Sequence, residues 1–298
     1  MISKIFIIKT NGDLCYSKTL FEPHVIDNDI IEYLTAFDQV GKKLGGGNVE
    51  SLHFTNFKFV YSYDEQNHIY IMITDTRDNE EEVREKLNIL KEEFYRRYKL
   101  ESYDWTSKIK KLKEFDEFTE KYIFLPPKML LMGEDGVGKT SIMDLFPGET
   151  ILELDNDMNE IIQKRVAISS LGRISEIDIR EINIHDVYEN SKMYKPLLDS
   201  VDIICIVINS GSGNLSRTKN AYLDLRQRVK KADFYVIANF QDLKNSAFEP
   251  ERISESFGLR TFGFSAIEKN ARKEIYNILN VILENSLFER SKETLKPK

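Results

Sequence analysis

The run Gly133-Glu134-Asp135-Gly136-Val137-Gly138-Lys139-Thr140 fits the pattern G-x-x-x-x-G-K-[ST], and it constrains the fold more than any other stretch of this 298-residue chain. Glycines at these positions let the backbone curl until successive N–H groups converge on phosphate oxygens. The lysine then reaches the β- and γ-phosphates, and the hydroxyl that follows is placed to ligate Mg²⁺. At average residue usage, with glycine at about 7%, a chance match arises roughly once per hundred proteins of this size. The setting is also right, with an apolar strand-like run at 128–132 before the loop and a helical pattern from Lys139 after it. The candidate phosphate-binding residues are Gly133, Asp135, Gly136, Val137, Gly138, Lys139, Thr140 and Ser141, with Thr140 also a metal ligand.

Beyond Pro126-Pro127, strands alternate with helices, which predicts an α/β fold with a mostly parallel sheet covered on both faces. Strands are expected at 128–132, 177–185, 201–209, 234–239 and 261–264. Helices are expected from Lys139, over 215–231 and over about 270–284, where Ala271, Ile275, Ile278 and Ile282 share a face. Two short motifs fall at strand ends: Asn239-Phe240-Gln241-Asp242 after the fourth strand and Ser265-Ala266 after the fifth. A buried carboxylate such as that of Asp242 favours a base with paired donors and rejects one that leaves it unpaired.

Taken in this order, the motifs resemble those of the small GTPases of the Ras superfamily. The stretch Val236-Ile237-Ala238-Asn239-Phe240-Gln241-Asp242-Leu243 is similar to the A-N-K-Q-D-L of the ADP-ribosylation-factor and signal-receptor beta branch, and His185-Asp186-Val187 to its W-D-V. The resemblance covers about residues 128 to 285. It implies the P-loop small-GTPase fold, GTP or GDP with Mg²⁺, and use as a conformational switch. By the same resemblance Asp242 accepts from guanine N1–H and the 2-amino group. Backbone N–H groups of the Ser265, Ala266 and Ile267 loop meet O6. Asn239, Gln241 and Leu243 complete the base site, and Asp186 holds Mg²⁺ through a water. A carboxylate at a strand end beside the phosphate loop is in any case a sound second anchor for the metal.

The departures bear on hydrolysis. Where the family has D-x-x-G and then a glutamine that orients the attacking water, this chain reads Asp186-Val187-Tyr188-Glu189-Asn190. Asn190, one methylene shorter than glutamine, is the candidate for positioning water. Asp135 occupies the loop position facing the γ-phosphate, where its charge would repel phosphate and an arginine finger alike. Thr150 lies only ten residues after Thr140, and 152–164 contains no threonine for a first switch. Phe240 replaces a base-lining lysine, although its ring can stack on guanine. These features predict retained nucleotide binding with slow or partner-dependent hydrolysis. The alternatives are a scaffold that holds GTP without cleaving it and another P-loop NTPase, which Asp242 disfavours.

The first 125 residues have a different character. Strands are expected at 4–9 and 14–21 around Asn11-Gly12-Asp13, then a helix over 28–44 with Ile30, Leu34, Phe37 and Leu44 near one face. Three strands follow at 49–55, 57–63 and 68–74, the last with Ile69, Ile71 and Ile73 on a single buried face. Two helices close the unit. The first, 80–98, carries Val83, Leu87, Leu90, Phe94 and Tyr98, and the acidic residues 78–82 favour its N-terminus. The second, 103–124, carries Trp105, Ile109, Leu112, Phe115 and Tyr122. This order resembles the longin domain of vesicle-trafficking proteins, with roadblock the near alternative. It implies an α+β partner-binding scaffold with a five-stranded antiparallel sheet, packing on the GTPase domain in cis or in a homodimer. The expected organisation is a longin-like domain (1–125), a Pro-Pro linker (126–127), a GTPase domain (128–288) and a polar tail (289–298).

Composition narrows the partners. With 42 basic and 49 acidic residues the net charge is −7, so no general nucleic-acid footprint exists. The basic residues of 215–231 read as a solvated helix face. The longest apolar run, 203–208, is far too short to span a bilayer. No signal or lipidation pattern is present, so a cytoplasmic protein with at most peripheral membrane contact is expected, with a regulatory or trafficking protein as partner. Cys15 and Cys205 read as reduced core residues, and His185 as a packing residue at a strand end.

Overall fold

The computed structural model describes residues 1–20, 30–98, 108–154, 160–171, 174–211, 213 and 215–289, with no side chains for 108–112, 153–154, 160, 169–171, 191 and 287–289. It divides between Leu125 and Pro126 into two compact units. The expected strand end at Phe21, the helix start at 28, Trp105, the side chains of Ile109 and Leu112, and the tail beyond 289 lie outside the described residues.

The first unit runs β1 (Ile2–Lys9), β2 (Leu14–Thr19), α1 (Ile30–Lys43), β3 (Ser51–His53), β4 (Phe57–Tyr63), β5 (His68–Asp75), α2 (Glu80–Arg97) and α3 (Lys108–Tyr122). Its strands form an antiparallel sheet in the order β2-β1-β5-β4-β3. The β1–β2 turn uses Gly12 at φ +94°, and Asn11 Oδ1 accepts from Asp13 N at 3.1 Å, the local bond that favours Asn in turns. α2 starts where Asn79 accepts from Glu81 N, and it buries Val83, Leu87, Leu90 and Phe94.

Two expectations for this unit change. β5 is buried on both faces: Ile69, Ile71 and Ile73 pack with Ile31 and Leu34 of α1, while Tyr70 and Met72 pack with α2. The reason is that helices cover both sides of the sheet, so strict alternation of polar and apolar residues is not required. On α1 the buried face is Ile31, Leu34, Thr35 and Asp38, whereas Phe37 and Leu44 are exposed. Asp38 sets this orientation: its carboxylate accepts from Tyr63 Oη (2.9 Å) and Lys42 Nζ (2.8 Å), which satisfies the buried charge.

The second unit runs β6 (Lys128–Gly133), α4 (Lys139–Leu145), β7 (Thr150–Leu154), β8 (Glu160–Leu171), β9 (Ile174–Asn183), α5 (Ile184–Glu189) and α6 (Ser191–Ser200). It continues with β10 (Ile203–Asn209), α7 (Leu215–Arg228), β11 (Asp233–Asn239), α8 (Pro250–Phe257), β12 (Thr261–Gly263), α9 (Ala271–Leu283) and a π-helical turn at Glu284–Glu289. The seven strands lie in the order β12-β11-β10-β6-β9-β8-β7. Those from β12 to β9 are parallel, β8 pairs antiparallel with β9, and β7 pairs antiparallel with β8, so β8 alone runs against the others and the sheet is mixed. Chain order departs from β6 in both directions, which makes its C-terminal end the switch point where α/β sheets place ligands.

The β7–β8 hairpin answers the region where no strand was expected. Lys164 of β8 is buried because its ammonium donates to Met143 O (3.0 Å) and Phe146 O (3.2 Å), closing the C-terminal end of α4. β9 ends two residues earlier than expected because Asn183 Oδ1 accepts from His185 N and starts α5. His185 and Asp186 therefore lie in the first turn of a helix, and neither ends a strand.

Candidate nucleotide site

Four loops meet at the C-terminal ends of β6, β10, β11 and β12. The first is the glycine-rich loop after β6. Gly136 and Gly138 hold φ of +74° and +90°, conformations that a Cβ disfavours. At Gly138 there is also no room, since a Cβ would sit 2.2 Å from Asn239 Nδ2. Gly133 is as tightly enclosed, with Val207 O at 2.4 Å from such a Cβ. Lys139 is buried at 6% exposure and its ammonium arches over the loop, donating to Gly133 O (3.1 Å) and Glu134 O (2.8 Å). Desolvation pushes its pKa down, opposed by the charges of Glu181, Asp135 and Asp186.

Asn239, at the end of β11, ties the loops together. Its Nδ2 donates to Val137 O (3.0 Å) and its Oδ1 accepts from Ala266 N (3.2 Å), at 2% exposure. Asp242 Oδ1 accepts from Ser265 Oγ at 2.7 Å, which leaves its second carboxylate oxygen for a ligand. Gln241 Nε2 donates to Ser210 Oγ (2.7 Å) and Phe248 O (3.1 Å), and so braces the loop. Phe240 takes φ +67°, a backbone cost of about 1–3 kcal/mol for a bulky residue, and its Cζ lies 3.9 Å from where a Gly138 Cβ would be. Leu243 and Ile267 are exposed at the rim, and Ser141 is exposed on α4.

The opposite wall is the end of β9. Alternate residues there reach the glycine-rich loop and its helix. Glu181 Oε1 accepts from Thr140 Oγ1 (2.8 Å), Asn183 Nδ2 donates to Asp135 Oδ1 (2.8 Å), and His185 Nε2 bonds Glu134 Oε1 (3.0 Å). The intervening Ile182 and Ile184 are buried in the core. Glu134 Oε1 also accepts from Thr218 of α7 at 3.3 Å, and Arg217 lies 3.7 Å away. Burial raises the Glu181 pKa, with Asp144 and Asp135 adding to it, while Thr140 and Lys139 pull it down. The carboxylate in contact with Thr140 is thus Glu181, which the sequence pattern did not single out. Its signal was the alternation Glu181-Ile182-Asn183-Ile184-His185.

One expectation is revised here. His185 makes a polar contact to the phosphate loop and is not a packing residue. Asn190 caps α5 by donating its N–H to Asp186 O, and it lies seven residues past Asn183, about 10 Å of helical rise. The acidic character of the wall leaves Thr140 and Glu181 as paired hard-oxygen donors, and Glu181 Oε2 is buried with no hydrogen-bond partner. That donor set fits Mg²⁺. Among the described residues no group of three or more His, Cys, Asp or Glu side chains forms a closed metal cage.

The fold and the loop define a P-loop α/β unit. No family model matches the chain, and no curated protein matches it. Among solved structures it is similar to a GDP-bound point mutant of NFeoB from S. thermophilus, at 15% identity and TM-score 0.43 over 58% of this chain. It spans 64% of the length of that protein. It is also similar to the G domain of the FeoB iron transporter of T. maritima, at 14% identity and TM-score 0.39, over 58% of this chain and all of that one.

Proposed function

We propose that this chain is a guanine-nucleotide-binding protein of the small-GTPase type, acting as a regulatory switch with slow or partner-dependent GTP hydrolysis. The observation that carries the reading is Asn239, which bonds the phosphate loop through Val137 O and the base loop through Ala266 N at once. Together with Asp242 held by Ser265, it organises a phosphate site and a guanine-selective carboxylate in one cleft.

In this mechanism the backbone of 134–139 and the Lys139 ammonium bind the phosphates, and Lys139 leaves its two carbonyl partners to do so. Asp242 selects guanine through its free oxygen, and Phe240 offers a ring for the base. Mg²⁺, when bound, neutralises phosphate oxygens, and Thr140 supplies one ligand. The hydrolytic part is weak by construction: Glu189 and Asn190 belong to α5 and its cap, and Asp135 is held by Asn183 with its charge in place. These residues also favour the second reading, a scaffold in which bound GTP is retained.

The first unit is read as longin-like on its element order and its β2-β1-β5-β4-β3 sheet, and as a partner-binding module for the switch. The proposed setting is trafficking or membrane-associated regulation, in the cytoplasm or peripheral at a membrane surface. Among the described residues no helix is long and apolar enough to cross a membrane. The test is to denature the purified protein, identify the released nucleotide by chromatography, and follow single-turnover hydrolysis. GDP or GTP with slow turnover supports the reading. Adenine nucleotide, or turnover as fast as that of an assisted GTPase, overturns it.

A further inference from the structure

We infer that Glu181, and not Asp186, anchors the divalent cation with Thr140. The inference rests on the nucleotide-site reading above, but it concerns which residue of this chain faces the metal.

Glu181 pairs with Leu131 in the β6–β9 register, two residues before Gly133, so the strand itself delivers its side chain beside the phosphate loop. One oxygen accepts from Thr140 Oγ1 at 2.8 Å, and the other is buried without a partner. An unpaired buried carboxylate oxygen is costly, and a hard cation relieves that cost by taking it as a ligand directly or through water. Asp186 is displaced from this position because Asn183 ends the strand and starts α5, carrying Asp186 into the first helical turn.

The experiment measures binding of fluorescent mant-GDP and mant-ADP to the full chain, in a Mg²⁺ titration and in EDTA. It compares wild type with Glu181→Gln, Glu181→Asp and Asp186→Asn, each checked for an unchanged melting transition. Glu181→Gln should need about tenfold or more Mg²⁺, the scale seen when a metal site loses a supporting carboxylate, without weaker metal-free binding. Glu181→Asp should recover part of that dependence, and Asp186→Asn should shift it by less than about threefold on the same scale. Wild-type Mg²⁺ dependence in Glu181→Gln, or its loss in Asp186→Asn, overturns the inference. Glu181-dependent binding of ADP in place of GDP would sustain it while overturning the guanine reading, and binding of neither nucleotide would overturn both.

Discussion

The two ends of the proposed nucleotide cleft are built on opposite principles. At the base end, side chains and backbone groups cross-link four loops: Asn239 to Val137 and Ala266, Gln241 to Ser210 and Phe248, and Ser265 to Asp242. At the γ-phosphate end, carboxylates dominate, and each of Glu134, Asp135 and Glu181 is tied to a polar partner across the β6–β9 seam. The first arrangement is held by bonds within the protein and leaves one Asp242 oxygen open, whereas the second gathers carboxylates around Lys139. On the proposed reading, base recognition and phosphate chemistry are carried by separate groups of residues.

Substitutions can break that contrast, and the largest effect belongs to Lys139. Its ammonium is the group on which the acidic end depends, so Lys139→Ala should weaken GDP binding by about 100-fold or more, given that a charged hydrogen bond contributes about 1.5–3 kcal/mol and several are lost. Equilibrium titration checks this, and a loss under about threefold, less than one such bond supplies, would mean that the carboxylate-rich end does not govern affinity.

A smaller effect separates Gly136 and Gly138, the glycines of the phosphate loop with positive φ. Gly138→Ala adds a clash with Asn239 to backbone strain, whereas Gly136→Ala meets nothing within 4 Å. The expected cost for Gly136→Ala is about 1–2 kcal/mol of unfolding free energy from strain alone. Gly138→Ala should exceed it and also release the Asn239 bond that joins the two ends. Urea denaturation gives the ranking, and equal costs would show that Asn239 moves aside freely.

The smallest effect is expected at Asn190. Because it caps α5 about 10 Å of helical rise beyond the phosphate-facing residues, Asn190→Ala should change single-turnover hydrolysis by less than about twofold. A fall of about tenfold or more, the scale of a group that acts on the reacting water, would place it back in the reaction and narrow the difference between the two ends.

How much of this is visible in the sequence follows the same division. The glycine-rich loop, Asn239, Asp242 and Ser265 are legible because their identities are dictated by positive φ, by a missing Cβ, or by a specific pair of bonds. At the other end, the three-residue likeness His185-Asp186-Val187 hides the two-residue alternation that puts Glu181 and Asn183 on one face of β9, with His185 in the helical turn just past it. The Asn183 cap that ends β9 is the signal that the likeness falls on a helix. α8 also escapes notice, although Pro250 in its first turn and Gly258 at φ +65° after its last residue are ordinary helix punctuation. The β7–β8 hairpin is obscured by Lys164, a charge buried for the sake of the α4 carbonyls. In the first unit the two helices that follow β5 carry clear periodicity, but three apolar residues of α1, Tyr33, Phe37 and Val40, are exposed, as is Leu44 just after it. Spacing alone does not say which stripe meets the sheet, because the buried stripe contains Asp38.

The most direct measurement of the central claim is the ratio of GDP to ADP affinity at saturating Mg²⁺, in wild type and in Asp242→Ala. A carboxylate that pairs with one base and not the other predicts a wild-type preference for GDP of about 100-fold or more, falling to within about tenfold in the variant. Equal affinities for the two nucleotides in wild type, or a preference untouched by the substitution, would contradict the account.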